Sequence, residues 1–314
     1  PPPVAGIRKM SRMWKRFESK PVPRFAAAVL AVSALAAVPV LRADELATPL
    51  AEGDAAWLVR AEGSVGGTAL TGPVDKALAA YRKAIAQSPT ALEPRWKAMR
   101  ALYFKGEYTT KHAEEQKRLF DEGKKLGEEA FELVRKAAAG KAGKDLAKAT
   151  PVEIVAYVKG DPDVAATFLW AAVNWGKWAL VFGKSAAIKQ GAAAKIRDYA
   201  AAVIAMDPAF EDAGGYRVLG RLHHQTPSVP FFTGWASRKE ALKNLQEACA
   251  RAPKNFINRL YLAEAQWDYE SSKRPDARVA LGKLIAETPA PEWLVEDRKA
   301  QEDAKALLAT WKKD

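Results

Sequence analysis

Residues 77–89 (ALAAYRKAIAQSP) place small or aromatic side chains at Ala77, Tyr81 and Ala84 and end in proline. Offsets of four and three residues put these side chains on one face of an α-helix. Proline cannot continue a helix, because it lacks a backbone N–H and clashes with the preceding turn. The segment therefore predicts a helix that buries one face and stops before Pro89.

The same spacing occurs three more times along the chain. The further matches are Ile196, Ala200, Val203 and Pro208, then Ala241, Leu245, Ala248 and Pro253, then Ala277, Leu281, Leu284 and Pro289. Identical offsets at four places indicate an internal repeat. The composition agrees, because the chain is rich in Ala, Leu, Lys, Glu and Arg, the residues that lose least on entering a helix.

The repeated spacing resembles the second helix of the tetratricopeptide repeat, A-x3-F-x2-A-x4-P. The first-helix pattern of that repeat, W-x2-L-G-x2-Y, is matched in part by Trp96, Met99 and Tyr103, by Tyr216, Leu219, Gly220 and His223, and more loosely by Leu262 and Ala263. Successive prolines lie further apart than the regular period of about 34 residues, so insertions are required. The predicted fold is all-α, a degenerate tetratricopeptide-like helical solenoid with an inserted aromatic helix.

The leading segment differs in charge from the rest of the chain. The net charge is +12, and residues 1–43 hold eight lysines and arginines against one acid, Glu18. The remainder is only mildly basic and has no dense Lys/Arg stripe of the kind that follows phosphates, so nucleic acid is not an expected partner. The charge of the leading segment is therefore better explained by export than by nucleic-acid binding.

Residues 25–40 (FAAAVLAVSALAAVPV) carry no charge and follow a basic stretch, which is the pattern of a secretory signal. We expect residues 1–43 to be upstream residues and signal peptide, and 44–314 to be a periplasmic helical domain. An uncleaved N-terminal anchor is the alternative. The apolar run contains no cysteine, so a lipoprotein is not expected, and the single Cys249 cannot form an internal disulfide.

The long stretch between the first two matches predicts the inserted elements. Residues 110–140 favour a charged helix, and 136–148 an Ala/Gly/Lys loop that we expect to be mobile. Asp161 and Pro162 are typical of a helix start, and the helix that follows carries the pattern W-x3-N-W-x2-W. Its members Trp170, Asn174, Trp175 and Trp178 fall within an arc of about 140°. Aromatic residues at this spacing are either core or a ligand-binding face.

The order of these features resembles the TatT family, helical proteins associated with TRAP transporters for small solutes. The resemblance runs from about residue 149 to the end and rests on the aromatic helix, on Met206-Asp207-Pro208, on 214–220 (GGYRVLG) and on a proline-rich turn before the next repeat. It implies a periplasmic protein that pairs with an extracytoplasmic solute-binding protein and can hold an apolar ligand in an internal channel. The first described family members are lipoproteins, which this chain does not match. A general periplasmic scaffold in envelope assembly is the alternative function.

Candidate binding residues follow from the geometry of such a solenoid. In the first helix of each repeat, the residues one, five, eight and nine positions after the Trp of the W-x2-L-G-x2-Y pattern line the concave groove. These positions hold Lys97, Ala101, Phe104 and Lys105, then Arg217, Arg221, His224 and Gln225, then Leu260, Glu264, Trp267 and Asp268. Arg217 and Arg221 lie at i and i+4 and can hold carboxylates of an anionic ligand, or form an exposed face or an internal salt bridge. We expect alanine at either to cost little stability, because exposed charges contribute little.

Combining the groove with the aromatic face gives the predicted ligand- or partner-binding set. It consists of Trp170, Asn174, Trp178, Arg217, Arg221, His224 and Trp267. The ligand is expected to be apolar or anionic, and the protein can also associate with itself. No cofactor is expected.

No motif for catalysis is found, since nucleophile-elbow, phosphate-loop, zinc-protease and dinucleotide patterns are all missing from the sequence. The adjacent His223 and His224 diverge by about 100° on a helix, and neither has a Cys, Asp or Glu three or four residues away, so no metal site is expected. His223 takes a packing position in the repeat. The sequence therefore predicts a protein that is not an enzyme.

Overall fold

A computed structural model describes residues 43–226 and 234–311. The predicted signal segment lies outside the described residues except for Ala43, and so do residues 227–233 of the proline-rich turn. Over the described ranges the chain forms α-helices and two short 3-10 helices, and its β-type pairing is limited to one isolated bridge, Val65–Thr68. The predicted all-α helical repeat fold is confirmed. In these ranges no helix is both long and apolar enough to span a membrane.

The α-helices follow one another with short connections. They are α1 Ala43–Leu58, α2 Thr71–Gln87, α3 Glu93–Tyr108, α4 Ala113–Ala142, α5 Pro151–Val158, α6 Pro162–Phe182, α7 Lys184–Lys189, α8 Ala192–Met206, α9 Phe210–Gln225, α10 Arg238–Arg251, α11 Phe256–Tyr269, α12 Arg274–Ala286 and α13 Leu294–Trp311. The 3-10 helices Ser271–Lys273 and Pro291–Trp293 precede α12 and α13.

The repeat spacing marks four of these helices, α2, α8, α10 and α12, each of which ends just before its proline. All twelve small or apolar positions of the four matches are at most 5% exposed. Each marked helix is followed by a second helix that packs on it, as α3 follows α2 and α9 follows α8. The period of the sequence therefore predicts the buried face correctly at every repeat.

The inserted elements form the largest hydrophobic cluster. α4 packs along α6, and α6 in turn packs on α3 and α8. Asp161 begins α6 as predicted, because its side chain accepts hydrogen bonds from the backbone N–H groups of Asp163 and Val164. The prediction for 136–148 is wrong in its first half, since α4 continues to Ala142 and buries Ala138. Alanine and lysine are good helix formers, and the helix ends only where Gly143 takes a left-handed conformation.

The solenoid closes on itself. The segment after α1 meets α13, where Arg60 pairs with Glu296 at 3.1 Å and the Gly67 backbone N–H donates to Glu302 Oε1 at 2.8 Å. Gly67 lies so close to the Lys299 backbone that a Cβ there would be 2.6 Å from its Cα. The two ends of the described repeat region therefore meet and enclose an interior space.

Gly220 tests the register of the repeats. A Cβ on this residue of α9 would lie 2.7 Å from Leu245 Cγ and 3.0 Å from the Leu245 backbone nitrogen in α10. We expect Gly220→Leu to overpack this contact and lower the free energy of unfolding by about 1–3 kcal/mol, measured by urea denaturation. Gly282→Leu is the matched control, because nothing lies within 4 Å of a Cβ there. Equal effects of the two variants would contradict the register.

Candidate functional site

The interior space is a cavity of about 860 Å³ on the concave side of the solenoid. Small-molecule sites in proteins occupy roughly 300–1,000 Å³, so the cavity has the size of a ligand pocket. Residues from α1, α3, α6, α8, α9 and α13 contribute to its lining. It is therefore built by repeats and insertion together.

The walls are mainly apolar and aromatic. They include Trp57, Tyr103, Phe104, Tyr108, Leu169, Trp170, Val173, Ile196, Val218, Leu222, Ile257, Tyr261 and Trp293. Charged residues are fewer. Most of them come from α3, α9 and α13, and Lys177 and Lys184 come from α6 and α7. A surface of this kind favours an apolar molecule that carries one polar group.

The cavity has an open end and a closed end. At the open end, Leu180 and Ile188 are 67% and 57% exposed, and α7, which contains Ile188, buries none of its residues. At the closed end, the lining residues Phe104, Glu296 and Asp297 are buried. A ligand would therefore enter past α6 and α7 and end against α3 and α13.

Three of the seven residues in the predicted binding set, Trp170, Arg217 and Arg221, lie together in this lining, as do the candidate groove residues Phe104 and Gln225. The indole of Trp170 lies 5.7 Å from the Tyr103 ring, and the Arg221 guanidinium lies 4.2 Å above the Tyr261 ring. These contacts place aromatic faces at the middle of the cavity. The predicted groove thus exists, but only part of the predicted set reaches it.

Arg217 is held by the backbone rather than free to bind a ligand. Glu211, Asp212 and Ala213 have φ of 47°, 56° and 60°, which is the left-handed region that non-glycine residues rarely adopt. Arg217 donates to the Glu211 and Asp212 carbonyl oxygens at 3.3 Å, and to Asn258 Oδ1 at 3.0 Å. The expectation that alanine here costs little is therefore wrong in its premise, because Arg217 supports a strained turn.

Arg221 and His224 are also paired internally. Arg221 Nη1 lies 2.7 Å from Glu264 Oε2 and 3.1 Å from His224 Nδ1, and His224 Nε2 lies 2.8 Å from Asp268 Oδ2. Of the interpretations offered by the sequence, the internal salt bridge describes Arg221. His224 is buried and lies outside the main cavity.

These same side chains form a cluster that the sequence analysis missed. Ligand atoms of His224, Glu264 and Asp268 lie within 4.8 Å of one another. The residues come from α9 and α11, so no spacing along one helix reveals them. Arg221 already neutralises Glu264, and a cation would have to displace that guanidinium, so the cluster is better explained as a polar link between two helices.

The remaining predicted residues stabilise the core. Asn174 is fully buried, and its Nδ2 donates to the carbonyl oxygens of Met99 and Trp170 at 3.1 and 2.8 Å. Trp178 Nε1 donates to Asp121 Oδ1 at 3.0 Å, and Trp267 stacks on Trp311 at 4.2 Å. None of these three residues lines the cavity. The aromatic face of α6 is therefore core except at Trp170.

Arg100 is a lining residue that the sequence analysis did not select. It occupies the position of the first-helix pattern that is glycine in the repeat, four residues after Trp96. A long charged side chain at a position that normally allows close packing conflicts with the repeat. Such conflicts mark functional or strained sites, and the arginine in place of glycine is the sequence signal that could have identified Arg100.

Asp297, at the closed end of the cavity, makes the stability of the fold depend on pH. Burial raises the pKa of Asp297 to about 6, although its Oδ2 accepts a hydrogen bond from the Ala290 N–H at 2.9 Å. A carboxyl whose folded pKa is raised contributes stability below its unfolded pKa of about 4, and this contribution is lost as the pH rises through the folded value.

We therefore expect Asp297→Asn to gain stability relative to the natural chain as the pH rises from about 4.5 to about 7.5. Asparagine keeps an oxygen acceptor for the Ala290 N–H but cannot ionise, so the cost of a buried charge disappears at high pH. Urea denaturation of both proteins at the two pH values measures the difference. A difference that does not change with pH would contradict this assignment.

No protein-family model matches the chain, and no curated protein matches it. The resemblance to the TatT family stays a prediction that rests on the motifs. The function is therefore inferred from the chain's own residues, above all from an apolar cavity with one open and one closed end.

Proposed function

We propose that this chain is a non-catalytic ligand-binding protein that holds a small, largely apolar molecule inside a closed helical solenoid. The protein is exported to the periplasm and serves a TRAP-type solute transport system, in which it pairs with the extracytoplasmic solute-binding protein. The observation that carries the ligand-binding proposal is the cavity of about 860 Å³ and its aromatic and aliphatic walls. The transport context rests on the motif resemblance alone.

The walls favour an apolar ligand for a physical reason. Burying apolar ligand surface against Leu169, Trp170 and Val173 gains about 25 cal/mol per Å² removed from water. Arg217 bonds to Asn258 and Arg221 to Glu264, so neither arginine offers a free cation to a ligand in the middle of the cavity. Affinity there would come from shape and apolar contact.

The open end provides a surface for the proposed partner. Leu180 and Ile188, which line the cavity, are 67% and 57% exposed, and Phe182 in the same segment is 40% exposed. Exposed apolar groups beside a cavity mark surfaces where another molecule docks. A solute-binding protein seated here would cover the entrance, so that a ligand could pass between the two proteins without entering water.

Gly176 offers a direct test of binding in the cavity. It lies on α6 in the cavity lining, and nothing lies within 4 Å of a Cβ built on it. We expect the natural protein to bind the apolar dye 1-N-phenylnaphthylamine with one site per chain, and Gly176→Trp to weaken binding because the indole occupies part of the cavity. Gly282→Trp, on α12 outside the cavity, is the matched control. Equal dye binding by all three proteins would exclude the cavity as the site.

The transport context is tested separately by affinity capture from the periplasmic fraction of the native organism. The proposal expects a TRAP solute-binding protein to be captured, and Leu180→Glu with Ile188→Glu to reduce that capture. Recovery of envelope-assembly subunits instead would favour the scaffold function. That result would not bear on the ligand-binding proposal, which the dye experiment tests.

A further inference from the structure

The closed end of the cavity contains a guanidinium stacked on aromatic rings. Arg100 extends from α3 into the lining, with its Cζ atom 4.2 Å from the Trp57 ring centroid and 5.0 Å from that of Trp96. Stacking of this kind fixes the plane of an arginine and leaves its N–H edge available to an acceptor.

Arg100 lacks the carboxylate partner that two other cations of the cavity lining have. Lys177 pairs with Glu107 at 2.6 Å, and Arg221 pairs with Glu264 at 2.7 Å. Among the described residues, no carboxylate lies within 4.0 Å of Arg100 in an ion pair, and its buried Nε has no hydrogen-bond partner. A buried donor without an acceptor is costly, so the guanidinium is set up for an acceptor that comes from outside the chain.

Arg100 lies among charges of both signs at this end. Burial lowers the pKa of Arg100, and this is opposed only in part by Glu211 and by Tyr81, which also hydrogen-bonds to the guanidinium. Of the other acids facing the closed end, Glu296 pairs with Arg60 through Oε1 but leaves its buried Oε2 without a hydrogen-bond partner, and Asp297 accepts from the Ala290 N–H. Glu211 lines the same cavity without an ion pair to Arg100, so it is the residue that a bound anion would have to face.

We infer that Arg100 binds the carboxylate of an amphipathic ligand whose hydrocarbon chain runs along Leu169 and Trp170 toward the open end at Leu180. The inference rests on the proposed function, because it names the class of ligand for the same cavity. A carboxylate accepts two parallel N–H bonds from one guanidinium, which a hydroxyl cannot do. The site would therefore prefer a long-chain carboxylate to a neutral molecule of equal length.

The test compares dodecanoate with dodecanol, each titrated by displacement of 1-N-phenylnaphthylamine and dodecanoate also by direct calorimetry. Loss of charge-assisted hydrogen bonds costs roughly 1.5–3 kcal/mol, so Arg100→Met should weaken dodecanoate binding about tenfold to a hundredfold and leave dodecanol and the dye unchanged. Arg118→Met removes the same charge from an exposed position on α4 and should change neither affinity. Glu211→Gln should strengthen dodecanoate binding, because it removes the opposing charge.

The outcomes separate the two proposals. Suppose that the dye binds, but that Arg100→Met weakens the binding of dodecanoate and dodecanol equally or weakens the binding of neither. The role of Arg100 is then overturned, while the cavity remains a ligand site. If neither the dye nor either lipid binds the natural protein, the proposed function itself fails. Should Arg100→Met not fold, Glu211→Gln decides the matter, since an unchanged preference for dodecanoate over dodecanol in that variant overturns the inference.

Discussion

Replacing Arg60 by methionine is expected to lower the free energy of unfolding by about 3–5 kcal/mol, because it leaves Glu296 buried without its counter-charge. The two side chains are 9% and 8% exposed, and Arg60 Nε and Nη2 lie 3.3 and 3.1 Å from Glu296 Oε1. Arg60 also donates to the Glu292 carbonyl oxygen and stacks 4.6 Å from the Trp57 ring. Burial already raises the pKa of Glu296, so its ionised form depends on Arg60.

Two controls separate this pair from a general loss of charge. The double variant Arg60→Met with Glu296→Leu should be much closer to the natural protein than Arg60→Met alone, since a buried pair replaced by apolar groups is often neutral. Arg82→Met breaks a pair with Glu122 whose side chains are 49% and 36% exposed, and it should cost less than about 1 kcal/mol. Urea denaturation measures these differences. Similar losses of unfolding free energy for Arg60→Met and Arg82→Met would contradict the role of the Arg60–Glu296 pair in closing the solenoid.

The second large effect is expected at Gly123, where α4 crosses α6. A Cβ here would lie 2.1 Å from Asn174 Oδ1 and 2.5 Å from its Cγ. Asn174 cannot move away freely, because it is fully buried and its Nδ2 donates to the Met99 and Trp170 carbonyl oxygens. We expect Gly123→Ala to lower the free energy of unfolding by about 2–4 kcal/mol through overpacking and loss of these hydrogen bonds.

Gly140, on the same helix, is the matched control for Gly123. It is exposed, and nothing lies within 4 Å of a Cβ built there. Because alanine favours a helix over glycine, Gly140→Ala should raise the free energy of unfolding by about 0.5–1 kcal/mol. Calorimetric or denaturant unfolding of the two variants should therefore give changes of opposite sign. Equal changes would mean that α4 and α6 do not approach each other as described.

The repeat helices could be predicted from sequence because their burial follows a local period. Tyr81, Ala200 and Leu245 lie at matching positions in three helices, and each is fully buried. Periodicity cannot show which helices meet at the ends of a chain, since that depends on contacts between distant residues. The pair Arg60–Glu296 joins positions 236 residues apart, so ring closure, and the cavity it encloses, had no sequence signal.

The candidate site was only partly predictable for the same reason. Trp170 and Trp178 lie on one helical face, yet one lines the cavity and the other packs against Asp121 on α4. Spacing shows a shared face, whereas the neighbouring helices decide which part of it remains uncovered. Arg217 and Arg221 were correctly placed on the concave side, but their partners Asn258 and Glu264 come from α11. A free guanidinium can be identified only after all such partners are known.

The central claim is that an apolar molecule binds inside the solenoid, and a crystal structure with 12-bromododecanoate tests it most directly. Anomalous scattering locates the bromine without reference to the protein's shape. The account predicts one bromine per chain within the cavity, toward Leu180 and Ile188, with electron density leading back to Arg100. Bromine found only on the outer surface of the helices, or no ordered bromine at a saturating concentration, would contradict it.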